Sequence, residues 1–214
     1  MSARIICVAQ QKGGAGKTTL VSNLAIAYLA AGKSVGLLDT DPQGSLGKWL
    51  DIREEMLGLN PKLRFATATP YGISRAIRTV GNEADVILID TPPKADSDVR
   101  WVLRDSDLVL VLVPVSASQA DVWATHDVLD LADRAQKPTH IVMNRTRAGT
   151  RVGDDVAKSV AELGAGRLDA SLANRVIYAD ALGRGLGVVE AKKSGPAADE
   201  VRALAQEVAG ILEL

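Results

Sequence analysis

Thiol chemistry is nearly missing from this chain. Its one cysteine, Cys7, sits in the apolar run Ile5-Ile6-Cys7-Val8. A single thiol forms neither an internal disulfide nor a thiolate-ligated cluster, and in that run it reads as a small buried hydrophobe. Aromatic residues make up only 3%. No stacking platform for bases is evident among them, and Trp49, Trp101 and Trp123 are expected to pack helices. The two histidines, His126 and His140, have no second His or Cys at metal-ligand spacing and read as structural or surface groups. No segment approaches the roughly 20 uninterrupted apolar residues that span a bilayer. The first residues lack the apolar stretch and small-residue cleavage site of a secretory signal, so a cytoplasmic protein is expected. An excess of one charge is lacking too: 25 Lys and Arg against 26 Asp and Glu leave a net charge of -1. Bulk charge therefore drives the chain onto neither nucleic acid nor membrane, and only a local patch could.

What is present is an alternation. Short β-branched runs occur at Arg4–Gln10, Ser34–Asp39, Leu63–Thr67, Asp85–Asp90, Leu108–Pro114 and His140–Asn144, separated by longer segments of helical spacing. In Thr18–Ala31, for example, Leu20, Leu24 and Tyr28 recur every four residues. Runs such as VILID and LVLVLV are apolar without a break, as strands covered on both faces must be. Strand and helix taking turns predicts a three-layer α/β sandwich around a mainly parallel sheet. The 214 residues, 47% of them hydrophobic, are expected to form one domain over 1–214. Helices are expected over Asp121–Gln136 and, opened by proline, over Pro196–Leu214.

The first strand runs into Gln10-Gln11-Lys12-Gly13-Gly14-Ala15-Gly16-Lys17-Thr18-Thr19, with a helix directly after. The oxygens of a triphosphate all need donors. Glycines at 13, 14 and 16 let the backbone curl so that successive N–H groups face those oxygens, and the helix N-terminus adds partial positive charge. Lys17 is placed to reach the β and γ oxygens, Thr18 to ligate Mg²⁺, and Thr19 to contact the α-phosphate. The common GxxxxGK[ST] loop has glycine where this chain has Gln11, and a second lysine, Lys12, precedes Lys17. The string KGGAGKTT resembles the signature loop of the ParA/MinD family of deviant P-loop ATPases. That resemblance implies a P-loop fold, bound ATP and Mg²⁺, and a homodimer in which Lys12 reaches the phosphates held by the other subunit, as an arginine finger does.

Carboxylates end two further strands. Asp39-Thr40-Asp41-Pro42-Gln43 resembles the family's DxDPQ segment; carried over, Asp41 orients the attacking water and Asp39 supports the Mg²⁺ shell, while a plain turn-and-cap role stays open for both. Val86–Asp90 is Walker-B-like, and Asp90 is placed to hold Mg²⁺ through water or, alternatively, to cap a turn. Thr91-Pro92-Pro93 matches the family's switch, with Lys94 a departure from it. Asn144, with both a donor and an acceptor, suits an adenine edge and resembles the MinD-type base reader; capping the strand end is the competing role.

From Arg145 to Lys193 there are nine Lys and Arg against six Asp and Glu. The resemblance implies non-specific DNA binding there through phosphate contacts, with Arg145, Arg147, Arg151, Arg167, Arg175 and Arg184 as candidate ligands; a solvated face is the alternative. A short ParA-like ATPase that partitions or positions a cargo, together with a ParB-like or other activating partner, is the function implied. A MinD-like membrane switch would want a basic amphipathic end, and DEVRALAQEVAGILEL is acidic. A metabolic P-loop ligase would not need Lys12.

Overall fold

The computed structural model describes residues 2–93, 99–115, 119–147 and 149–214, without the side chains of residues 70, 119–124 and 152. Six main strands carry the sheet: β1 (Arg4–Ala9), β2 (Val35–Asp39), β3 (Leu63–Thr67), β4 (Val86–Asp90), β5 (Leu108–Pro114) and β6 (Thr139–Thr146). Two short ones, β7 (Gly166–Arg167) and β8 (Leu172–Ala173), complete it. The order is β3-β2-β4-β1-β5-β6-β7, with β8 also pairing β6, and every pairing is parallel.

Parallel strands need crossovers, and helices provide them. The helices are α1 (Lys17–Ala30), α2 (Ser45–Leu57), α3 (Ile73–Gly81), α4 (Val99–Asp105), α5 (Gln119–Arg134), α6 (Arg151–Ala161), α7 (Val176–Gly183), α8 (Val188–Ala191) and α9 (Pro196–Leu212). Side chains of a strand alternate between its faces, so the central strands feed two cores. Ile6, Val8, Leu88, Leu110 and Leu112 join α1, α2, α7, α8 and α9 on one face. Cys7, Ile89, Val109, Val111 and Val113 join α3, α4, α5 and α6 on the other. Three layers result, as the alternation predicts. Cys7 is fully buried, and burial pushes its thiol up to about 12, which keeps it protonated and unreactive. Among the described residues no helix is long and apolar enough to cross a membrane.

The edges β7 and β8 and the short helices α7 and α8 have no clear periodic signature, and the sequence pattern did not separate them. The main strands start or stop within two residues of their expected ends.

From β1 the chain moves to β2 and β3 on one side, then returns past β1 to β5 and β6 on the other. The crevice at such a reversal, beyond the carboxyl ends of the strands, is where open α/β sheets hold ligands. Register sets the carboxylates side by side there, Asp39 opposite Asp90 and Val8 opposite Asp90.

Candidate nucleotide-binding site

A cleft of about 400 Å³ opens at that edge. Gly13 to Thr19 line it together with Asp41, Gln43, Ser45, Pro93, Arg145 and Leu182. Gly16 holds φ at +100°, and a Cβ on it would stand 2.7 Å from Nδ2 of Asn144. Backbone sign and space thus both demand glycine at 16. α1 starts directly after it, so its first N–H groups and its partial positive charge sit at the cleft wall.

Lys17 is 7% exposed, and its ammonium donates to the Gln10 carbonyl at 3.0 Å. Burial lowers its pKa, while the charges of Asp90 and Asp41 hold it up. The Thr18 hydroxyl donates to Asp90 Oδ2 at 2.6 Å. Asp90 is 1% exposed, and its other oxygen, Oδ1, is buried with no hydrogen-bond partner. Burial pushes its carboxyl up to about 7; the Thr18 hydroxyl works against that rise, and the Asp39 charge adds to it. A buried carboxylate oxygen without a donor, next to a threonine hydroxyl, is the donor set that suits a partly hydrated Mg²⁺. The residues present fit that ion.

Asp41 lines the cleft, half-buried, with Oδ1 accepting from the Gln43 N–H at 3.0 Å. It keeps a turn role and a place facing the cleft at once. Asp39 takes the turn-and-cap role. Its Oδ1 accepts from the Asp41 N–H at 3.0 Å, and its Oδ2 from the N–H groups of Leu46 and Gly47 at 3.1 and 3.2 Å. The carboxylate thus gathers the backbone donors at the start of α2. It fixes the turn that presents Asp41.

Asn144 makes the bonds of a strand-end cap. It is 8% exposed, its NH₂ donates to the Ala15 carbonyl at 2.8 Å and its Oδ1 accepts from the Arg145 N–H at 2.9 Å. The amide thereby fastens the phosphate loop to the end of β6. Lys12 stands half-buried at the start of the loop, and Thr19 lines the cleft.

The six candidate DNA arginines do not form one free cationic face. Arg145, left-handed at φ +54°, lines the nucleotide cleft. Arg175 donates twice to Glu200, at 2.9 and 2.6 Å. Arg184 pairs loosely with Asp180 at 3.5 Å. Arg147 reaches the Asn174 amide oxygen at 2.9 Å once that amide is turned to present it. Arg151 and Arg167 remain exposed. The Lys94 departure lies outside the described residues.

Several supporting residues had no legible motif. Gln10 donates to the Leu112 carbonyl at 3.0 Å and to Thr125 Oγ1 at 3.1 Å, tying β1 to β5 and α5. The hydroxyls of Thr40 and Thr91 donate at 2.8 Å to the carbonyls of Asp90 and Val8. Arg53 of α2, 6% exposed, makes a bidentate pair with Glu190 at 2.7 Å and donates to the Gly185 carbonyl at 3.1 Å. Trp49 donates to the Leu186 carbonyl at 3.3 Å. The only hint of this clasp in the sequence is the pair of glycines in Gly185-Leu186-Gly187.

A glycine loop at the end of β1, a lysine and threonine opening α1, and a carboxylate ending β4 define a P-loop nucleotide-binding protein. The family model of the CobQ/CobB/MinD/ParA nucleotide binding domain matches residues 6–207, and the chain belongs to that family. It is 27% identical over 209 residues, covering 95% of each chain, to maintenance of carboxysome distribution protein A of Halothiobacillus neapolitanus. It is 34% identical over 154 residues, covering 60% of this chain and 59% of the relative, to the chromosome-partitioning ATPase Soj of Thermus thermophilus. The solved structure of a Cyanothece McdA variant in complex with ATP shares the fold, with a TM-score of 0.78 and 15% identity over 99% of this chain and 97% of that one. Relatives of this chain are positioning and partition proteins of the ParA/MinD type.

Proposed function

We propose that this chain is an ATP-dependent switch that dimerises when ATP is bound, hydrolyses it slowly and so positions or partitions a cellular cargo. The observation that carries this reading is the convergence of Lys17, Thr18 and Asp41 on one cleft beside the glycine loop, with the buried Asp90 bonded to the Thr18 hydroxyl. The loop amides and Lys17 hold the phosphates. Thr18 and Asp90 would hold Mg²⁺, and the ion would supply charge that neutralises the phosphates. Asp41 orients the attacking water from a turn that Asp39 keeps rigid. Lys12 completes the site of a second copy in the dimer. Phosphoryl transfer needs positioning and charge neutralisation more than a strong base, which an ordinary aspartate can serve.

The relatives' names point to cargoes of two kinds, a carboxysome and a chromosome. A ParB-like or other partner would stimulate hydrolysis. Reversible hold on nucleoid duplex DNA, through phosphate contacts at Arg151 and Arg167, fits a cytoplasmic, nucleoid-associated protein. Membrane anchoring by the last helix is disfavoured, because Val201, Leu204, Val208 and Leu212 of α9 are buried in the core shared with α1. The deciding experiment uses Asp41→Ala. The variant is expected to bind ATP, lose turnover and accumulate as an ATP-bound dimer, read by light scattering after gel filtration. Parental turnover in the variant removes Asp41 from its role. Basal turnover of the parent should lie below the roughly 1–100 per second of protein kinases, as a persistent switch requires.

A further inference from the structure

Exposed rings and arginines also gather on α3, α4 and the turn before α3, at residues that belong neither to the cleft lining nor to the basic stretch after Arg145. Tyr71, in the turn Pro70–Gly72 before α3, is 84% exposed, and Trp101 of α4 is 38% exposed. Their ring centroids lie 6.2 Å apart, tilted by 49°. The Arg104 guanidinium stands 4.8 Å from the Trp101 ring centroid. Arg75 and Arg78 project from α3, and Arg100 from α4, all three exposed. Among the described residues no ion pair engages Arg75, Arg78 or Arg100. The nearby acid, Asp105, is already held by the Ser74 hydroxyl and by Arg104. Lys94, Asp96 and Asp98, between Pro93 and α4, lie outside the described residues.

Two features of this surface need separate explanations. Arg75, Arg78 and Arg100, in no ion pair among the described residues and beside the Arg104 that Asp105 holds, suit a polyanion, because planar guanidinium groups bind phosphates by paired hydrogen bonds and keep their charge. An almost fully exposed tyrosine beside a half-exposed tryptophan is costly to leave in water unless a planar group covers it. A duplex satisfies the first feature only, since its base faces are stacked away inside. A single strand satisfies both, with phosphates to meet the arginines and free base faces to lie on Tyr71. Arg104 over Trp101 already shows a planar cation stacked on an aromatic ring, and it holds that ring in place for a neighbour.

We infer that the α3–α4 surface binds single-stranded nucleic acid, with Tyr71 and Trp101 as the stacking platform and Arg75, Arg78, Arg100 and Arg104 as phosphate ligands. The site is separate from the duplex contact at Arg151 and Arg167 and does not depend on it. None of its residues lines the nucleotide cleft, and the full chain can be tested with ATP, with ADP and with neither.

The test is fluorescence anisotropy of the full chain with a labelled oligothymidine and, in parallel, a random-sequence duplex. The parent binds the oligothymidine, and a fourfold rise in salt weakens binding roughly 20- to 50-fold if three or four phosphates are engaged. Tyr71→Ala weakens single-strand binding about tenfold. The pair Arg75→Glu and Arg100→Glu abolishes it and flattens the salt dependence. Both variants keep the parent's thermal midpoint and ATP affinity. Arg151→Glu with Arg167→Glu leaves single-strand binding unchanged. The inference fails if the parent does not bind the oligothymidine, or if the Tyr71 and arginine variants bind it as tightly as the parent. Failure of the duplex arm alone counts against duplex binding by the switch and leaves the α3–α4 site standing.

Discussion

An aspartate that is 1% exposed and has an unpartnered oxygen is an unfavourable thing to fold around. The Asp90 carboxyl takes its proton at about 7 in the fold, against an ordinary value of 3.8. The folded protein therefore binds more protons than the unfolded chain between those values, and metal-free stability falls as pH rises through that window. Asp90→Asn mimics the protonated form. In urea titrations without metal, the variant should be more stable than the parent by up to about 4 kcal/mol near pH 8, and close to it near pH 4. The same variant should lose the Mg²⁺ dependence of nucleotide binding. Equal stability of variant and parent at both pH values would show that the site does not strain the apo fold. At this scale the chemistry-bearing residue types were legible, because a lysine after glycines and an acid after an apolar run announce themselves. The partners of Asp39 and Asn144 were not. Asn144 bonds Ala15 across 129 positions of chain, a pairing that local spacing does not encode.

At the scale of elements, the main strands were readable from apolar runs, the loop from its glycines and α9 from its opening proline, whereas the region between α6 and α9 was not. Its short pieces are held by long-range polar contacts instead of periodic apolar faces. Glu200 accepts from Arg175, from the Tyr178 hydroxyl and from the Ala173 N–H, and Glu207 accepts from the N–H groups of Asp169 and Ala170. The aromatic pair was missed for a similar reason. Tyr71 and Trp101 lie thirty residues apart, and a low aromatic content says nothing about where the few rings meet. The α2 clasp makes an element-scale prediction. Gly185 has φ +67°, and a Cβ on it would stand 2.5 Å from the Arg53 backbone nitrogen. Gly185→Ala should therefore destabilise the fold by about 2–3 kcal/mol, through both strain and collision with backbone. Chemical denaturation gives the number, and a loss under about 0.5 kcal/mol, the range of an uneventful surface change, would show that α2 and the 185–190 segment are free to part.

For the whole molecule, the parallel sheet brings the chemistry to one edge, since each crossover returns the chain to start the next strand from the opposite end. Two copies facing each other along that edge would place each Lys12 beside the other's phosphates. Lys12→Ala should retain ATP binding while losing both turnover and ATP-induced dimerisation, checked by nucleotide titration together with light scattering. If the variant dimerises and turns over ATP like the parent, the second lysine acts only within its own chain. The clasp has a consequence on this scale too. Trp49 is 2% exposed, lies beneath Arg53 and donates its indole N–H to Leu186, so it joins the helix that follows the Asp41 turn to the segment just beyond Leu182, on the opposite rim of the cleft. Its emission is thus a built-in optical gauge of whether those two segments move together or apart when nucleotide is added.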